Sequence, residues 1–372
     1  MRRLKVVGPY RGASGYDRHT RALVREFVRQ GVEVELQQLE GWSQDLPDHM
    51  RETWFDRLAE PVDAETVLHF TMPVQVVPSP GRRNVNYTMF EADRIPEAWV
   101  AAAEHVERIV LTTEAGRLAW RKSGVPAEKL YVSPLGVDGS TFAAPAQPLP
   151  LIVDARPVAS FGTRFLHIAE PRARKNHMGL VESWMRATRR GDDAVLILKV
   201  SLFAARALSA FEADLAMLER QLGKSLSDAA PVLILAETLT DEQIRSLYAC
   251  ATYYVSMSRG EGWDLPMIEA GAAGLTLIAP RHTAYPTYLD EGSAHWIPAS
   301  EVPARFEGYL GREDRSWFEG LSWWEPDIGA ATALIRAIID GAAPPPRSPQ
   351  PRILAEFSWE RAAARLLEVV LD

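Results

Sequence analysis

The feature that most constrains this chain is an alternation of short apolar runs with helix-periodic stretches, present in two successive series. RLKVVG runs into the turn-rich loop PYRGASGYD, after which Leu23, Val24, Phe27 and Val28 fall on one face of a helix that Gly31 ends before VEVEL. The pattern continues through ETVLHF, RRNVNYTMF, the helix AWVAAAEHV, ERIVLTT and the helix AGRLAWRKSG to KLYVSPLGVD near residue 138. Strands alternating with helices imply a parallel sheet covered on both faces.

TFAAPAQPLPLIVDARP, rich in Ala and Pro with weak periodicity, reads as a linker. A second series then runs from FLHIA through GLVESWMRA, AVLILKV, FEADLAMLERQL, PVLILA, DEQIRSLYA and TYYVSMS to PMIEAGAA, where Gly274 closes a helix before LTLIAP. At 372 residues the chain exceeds the usual size of one hydrophobic core. The expected fold class is therefore α/β, with two tandem Rossmann-like doubly wound domains facing across a cleft. The expected boundaries are 1–150 and 151–345, with a Pro-rich segment and terminal helix over 346–372 packing back on the first domain.

Bulk properties remove several classes. Hydrophobic residues make up 47% and charged residues 24%, which excludes a disordered chain. A net charge of −8 argues against a nucleic-acid binder that works by neutralising phosphates. Cys250 is the only cysteine, so no internal disulfide forms, and LYACATYYV reads as the setting of a buried, inert thiol. No apolar run reaches the roughly 18–20 residues of a membrane span, and MRRLKVVGPY lacks the features of a signal peptide. A cytoplasmic protein is expected, with membrane contact at most peripheral. Arg18, Arg21, Arg25 and Arg29 form a stripe on the first helix, read as a solvated face.

SRGEGWDLPMIE carries the chemistry. TYYVSMS, RGEGWD and LPMIEA are a strand, a loop and a helix in that order, so the loop lies beyond a strand's carboxyl end, where open α/β sheets bind ligands. Asp264 is placed to cap, Pro266 sits in the first turn, and the amides of Gly262 to Leu265 suit a phosphate. Glu261 before the helix and Glu269 one turn inside it suit hydroxyl groups. A ligand with a diphosphate between two polyols, such as a nucleotide sugar, answers both requirements. Taken alone, two glutamates at this spacing favour the plainer reading, with Glu269 a solvated helix residue and Gly262 a turn former.

The run EGWDLPMIEAGAAGLTLIAP resembles the Glu-x7-Glu signature of family-four retaining glycosyltransferases, which have the two-Rossmann GT-B fold. FLHIAEPRARKN, GPYRGASGYDRHTRAL, FEADRIPEAWV, SGVPAEKLYVSPLGVD and FSWERAAARLLEVV are similar to further segments of that family, in family order. The resemblance implies an acceptor domain followed by a donor domain. It implies that Lys175 and Arg174 hold the donor's diphosphate, with Arg172 beside them, and stabilise charge on the leaving group. Ala169-Glu170 stands where many members have Gly-Arg, so Glu170 is expected to turn away while Arg172 or Arg174 compensates. Glu261 is matched to hydroxyls of the transferred sugar and Glu269 to the ribose. Gly262, Trp263, Asp264 and Leu265 are matched to the sugar and phosphates, Asp264 either binding hydroxyls or, the favoured reading, capping. Gly12, Ser14 and Gly15 are expected to approach the diphosphate, and Thr238 and Leu239 the base.

On the acceptor side Glu91, in NYTMFEAD, is expected to orient or deprotonate the acceptor hydroxyl, with His69 ranked below it and Arg94 nearby. The implied reaction is sugar transfer from a nucleotide diphosphate sugar to a glycan, glycolipid or small-molecule hydroxyl with configuration kept, using no cofactor and no metal. HExxH and Asp-x-Asp are absent. The alternatives are a nucleotide-sugar epimerase or phosphorylase of the same fold, or a catalytically silent sugar-nucleotide binding subunit, which only Ala169-Glu170 favours. LGKS is no phosphate loop, and GPYRGASG lacks the dinucleotide spacing. Trp317, Trp323 and Trp324, in DRSWFEGLSWWEPD, read as structural residues of a loop.

Overall fold

The computed structural model describes residues 2–200 and 205–372. The chain divides into two compact units, Met1–Val137 with Ala355–Asp372, and Asp138–Leu354.

The first unit contains β1 (Arg2–Gly8), β2 (Val32–Gln38), β3 (Thr66–Phe70), β4 (Arg83–Thr88), β5 (Arg108–Leu111) and β6 (Leu130–Val132). They form one parallel sheet in the order β2-β1-β3-β4-β5-β6. The order reverses between β1 and β3, the switch point at which such sheets open a ligand crevice. Helix Gly15–Arg29 follows β1 and buries Leu23, Val24 and Phe27. Its start is fixed by a capping box in which Ser14 and Asp17 bond each other's backbone amides. On its outer stripe Arg21 donates to the carbonyls of Tyr10 and Gly12 at 2.7 Å, Arg25 pairs with Glu52 at 2.5 Å and Arg29 with Glu26 at 2.6 Å.

The carboxyl-terminal helix Trp359–Leu371 packs on helix Gly15–Arg29 and buries Ala363, Leu366 and Val370. Its entry is held where Val137 N donates to Phe357 O at 2.7 Å. Gly136 is required there, since a Cβ would lie 2.5 Å from Trp359 N.

In the second unit a short hairpin, β7 (Ile152–Val153) with β8 (Arg156–Pro157), precedes β9 (Thr163–Ala169), β10 (Ala194–Val200), β11 (Val232–Leu235), β12 (Tyr253–Val255), β13 (Thr276–Pro280) and β14 (His295–Ile297). The last six named strands make a parallel sheet in the order β11-β10-β9-β12-β13-β14. That is the dinucleotide-fold order, with its switch point between β9 and β12. Alternation along the strands separates two layers. Phe165, Leu196 and Leu198 join Trp184, Phe211 and Ile335 in one core, while Leu166, Ile197 and Tyr254 face the other side.

Three expectations are corrected. The units divide at Val137/Asp138, not at 150, so the Ala/Pro segment lies wholly within the second unit. Residues 346–354 also stay with the second unit, where Gln350 Nε2 donates to Ala272 O at 2.8 Å and Ile353 is buried against Gly271. Helix Gln350–Glu356 follows the proline run, whose prolines lie ahead of it or in its first turn. The tryptophan segment is regular rather than loop-like: Trp317 lies in helix Gly311–Phe318, and Trp323 and Trp324 lie in β16 (Ser322–Pro326), antiparallel to β15 (Ala299–Pro303). Among the described residues no helix is long and apolar enough to cross a membrane.

Candidate functional site

Two loops meet at the switch point of the second unit. The loop after β9 holds a tight turn in which Lys175 N donates to Arg172 O and Asn176 N to Ala173 O, each at 3.1 Å. Asn176, at φ 53°, then caps helix His177–Ala187 by accepting from Gly179 N. The loop after β12 is tied to it: Arg259 N donates to Arg174 O at 2.8 Å, and the Arg174 guanidinium to Gly260 O. This pairing delivers two cations to one carboxylate. Lys175 Nζ is 2.6 Å and Arg174 Nη1 3.3 Å from the Glu261 side chain, which is only 4% exposed. Burial opposes the Glu261 charge, but Lys175 and Arg174 outweigh it and hold the carboxyl well below its usual range.

Glu269 is buried as well and accepts from Tyr248 Oη at 2.8 Å. Asp264 lies between these glutamates in the chain at φ 67°. Its side chain caps Met267 N at 3.4 Å and accepts from Tyr285 Oη at 2.9 Å. Burial pushes the Tyr254 phenol well above its usual range, and the charges of Asp264, Glu261 and Glu269 push it in the same direction. Thr283, after β13, takes φ 45° and accepts from Glu261 N at 3.0 Å, while His282 bonds Ser258 O at 2.8 Å and stacks on Trp324. Left-handed backbone at the non-glycine residues Asn176, Asp264 and Thr283 costs energy.

Burial and then the nearby Glu261 push the Asp264 carboxyl well above its usual range. A raised folded-state value means that the folded protein binds this proton more tightly, so stability falls as pH rises from about 4 toward neutrality. Asp264→Asn keeps a residue that tolerates the left-handed region and is expected to flatten that slope and to raise the melting temperature at pH 8. Melting curves from pH 5 to 8 check this; an unchanged slope contradicts the assignment.

The other expected donor residues are placed as follows. Arg172 pairs with Glu170 at 2.9 Å and approaches Asp314 at 3.7 Å, so the Glu170 carboxylate is neutralised by its neighbour. Gly262 and Trp263 are buried, Trp263 O accepting from Tyr288 Oη at 3.0 Å, and Leu265 opens helix Leu265–Ala272. Thr238 and Leu239 lie in the loop between β11 and helix Asp241–Tyr248.

In the first unit, Gly12, Ser14 and Gly15 lie in the loop after β1. Gly12 N donates to Asp17 Oδ1 at 2.8 Å, and a Cβ on Gly12 would collide with Ser43 Oγ. Packing inside the unit therefore accounts for the missing side chain at Gly12, whereas Gly15 has open space. Ser14 accepts from Trp42 Nε1 at 3.0 Å. His69 points back along the sheet to Asn84 Oδ1 at 3.1 Å, and burial lowers its pKa. Tyr16 sits at the carboxyl end of β4, 3.2 Å from Thr88 Oγ1, and burial and then the charge of Glu91 raise the pKa of its phenol. Arg94 is paired with Asp93 at 3.0 Å.

Sequence reasoning missed Tyr16, Tyr248, His282, Thr283 and Tyr285. Each belongs to an element distant in sequence or to a face that no short motif marks.

No family model matches the chain, and no curated protein matches it. Solved structures do. Anabaena HepE, in complex with UDP and glucose, superposes with a TM-score of 0.66 at 12% identity over 100% of both chains. Sucrose-phosphate synthase from Thermosynechococcus elongatus gives 0.66 at 15% identity, covering 99% of this chain and 98% of that one. AviGT4, a glycosyltransferase involved in avilamycin A biosynthesis, gives 0.58 at 13% identity over 100% and 97%. The fold is thus the α/β fold of GT-B glycosyltransferases, built on two parallel six-stranded sheets.

Proposed function

We propose that this chain is a retaining glycosyltransferase that moves a sugar from a nucleotide diphosphate sugar to an acceptor hydroxyl without a metal. The observation that carries the reading is the pair Arg174 and Lys175 converging on buried Glu261 at the switch point, with buried Glu269 about one turn inside the helix that follows. Arg174 and Lys175 set two cations at the loop ahead of helix Leu265–Ala272, the kind of donors that stabilise a diphosphate. Known proteins of this fold support the donor class, since HepE was solved with UDP-glucose.

In the reaction the bond between the anomeric carbon and the diphosphate oxygen breaks, and a bond to the acceptor oxygen forms on the same face. The electron pair goes to the nucleoside diphosphate, where Arg174 and Lys175 meet the developing charge without reorganisation. The acceptor proton leaves to a diphosphate oxygen or to Glu91. Glu261 orients the cations and holds sugar hydroxyls, and Glu269 holds the ribose.

The test incubates the protein with UDP-, GDP- and dTDP-sugars and measures released nucleoside diphosphate. Slow hydrolysis of one donor, unchanged by EDTA, is the expected result. Tight donor binding with no turnover under any acceptor would favour the silent subunit, and loss of turnover with EDTA would overturn metal independence.

A further inference from the structure

A cavity of about 390 Å³ lies against the tight turn that carries Arg174 and Lys175. Its walls include Arg172 and Ala173 of the turn, Met217 and Leu218 of helix Ala205–Leu222, and Leu310 and Glu325. Close packing therefore does not support that side of the turn, which leaves directed polar bonds to hold it.

Those bonds come from the excursion that follows β14 and comprises β15, helix Gly311–Phe318 and β16. It has an apolar centre of its own, where the Trp323 ring lies 5.7 Å from Phe306 and 6.0 Å from Phe318. Buried Asp214 anchors it to helix Ala205–Leu222 by accepting from Tyr309 N at 2.7 Å and Leu310 N at 3.0 Å. From this base the excursion reaches the turn twice. Asp314, only 2% exposed, accepts from Arg174 N at 2.8 Å. Glu325 accepts from Arg259 Nε at 2.6 Å and Nη2 at 2.9 Å, and Trp324 N donates to Arg259 O at 2.9 Å. Arg259 in turn donates Nη1 to Ala173 O at 2.6 Å and its amide to Arg174 O at 2.8 Å. Both polar groups of the Arg174 backbone are thus fixed, the N–H by Asp314 and the carbonyl by Arg259.

We propose that Asp314 is a positioning residue for the transfer reaction, holding the Arg174 backbone so that the side chains of Arg174 and Lys175 stay where the diphosphate leaves. The inference rests on the donor reading given above. Cations that stabilise a developing anion act by being in place beforehand, and a displacement of about 1 Å can cost about 10²-fold in rate. What the turn requires of residue 314 is a hydrogen-bond acceptor at one point. Asparagine supplies a neutral acceptor there, whereas glutamate keeps the charge but sets the acceptor one methylene farther out. Asp314 also approaches Arg172, at 3.7 Å, so its charge is the competing explanation, and these two substitutions separate position from charge.

The test compares the wild type with Asp314→Glu and Asp314→Asn in three measurements. These are the melting temperature, the affinity for inorganic pyrophosphate by calorimetric titration, and nucleoside diphosphate release across a concentration series of the nucleotide sugar that the wild type turns over. Asp314→Glu is expected to bind pyrophosphate about tenfold more weakly and to lower kcat by about 10²-fold, a larger factor than its change in KM. Asp314→Asn is expected to stay within about threefold of the wild type in both affinity and kcat. Variants that melt earlier yet keep wild-type pyrophosphate affinity and kcat while folded would show a merely structural acid and overturn the proposal. An intact Asp314→Glu beside an impaired Asp314→Asn would overturn it in favour of charge, and equal losses in the two would overturn it as well. Should Asp314→Glu fail to fold, Glu325→Ala acts on the other hold from a partly exposed position. That variant releases Arg259 on one side and is expected to weaken pyrophosphate binding by about threefold and kcat by about tenfold, unchanged values overturning the proposal. A wild type that binds no pyrophosphate and releases no nucleoside diphosphate would overturn the donor reading itself.

Discussion

Lys175→Ala is expected to lower turnover at saturating donor by about 10²- to 10³-fold, the effect typical of losing one preorganised charge at a developing anion. The Nζ of Lys175 is 2.6 Å from Glu261, and its removal also leaves that buried carboxylate with Arg174 alone at 3.3 Å. Glu261 then faces its burial with less compensation, and breaking such a pair costs stability as well as rate. The two effects separate experimentally: circular dichroism and a melting curve report the fold, while nucleoside diphosphate release reports the chemistry. A folded variant with full activity would remove Lys175 from the mechanism.

Glu261→Gln is expected to give a different signature. The neutral amide keeps the shape but not the charge, so Arg174 and Lys175 lose the anion that orients them. Turnover is expected to fall by about 10²-fold, because positioning of the leaving group is lost. Affinity for the free nucleoside diphosphate is expected to hold or rise, since a negative charge has left the phosphate site. The variant also alters acid stability. The folded-state pKa of Glu261 is depressed, so its stabilisation is present above the ordinary carboxylate range and is lost as pH falls through the folded value. Below about pH 4 the wild type is expected to lose more stability than Glu261→Gln does. Parallel loss of nucleotide affinity and turnover would show that Glu261 serves ground-state binding instead.

The parts of this molecule that were legible in its sequence share a physical reason. A strand, a turn-rich loop and a helix in succession write their order directly into periodicity, which is why SRGEGWDLPMIE and its helix could be located and why Glu261 and Glu269 could be named together. Contacts between elements far apart in the chain leave no such trace. Thr283 and Tyr285 reach Glu261 and Asp264 from the loop after β13, and nothing in RHTAYPTY announces it. The antiparallel pair β15 and β16 carries prolines and mixed polarity instead of clean alternation, so it passed for loop. His69 meets the same limit: a histidine near a strand end is visible in the sequence, but Asn84, which it bonds, lies on the neighbouring strand. The unit boundary was missed because Ala/Pro composition marks an irregular path, not which core that path packs on.

The most direct test is a crystal structure of the chain with the nucleoside diphosphate whose sugar it turns over. Phosphate oxygens are expected at about 3 Å from Lys175 Nζ and the Arg174 guanidinium, with a ribose hydroxyl bonded to Glu269. A nucleotide bound in another part of the second unit, with Lys175 and Arg174 still closed on Glu261 and touching no phosphate, would contradict the account.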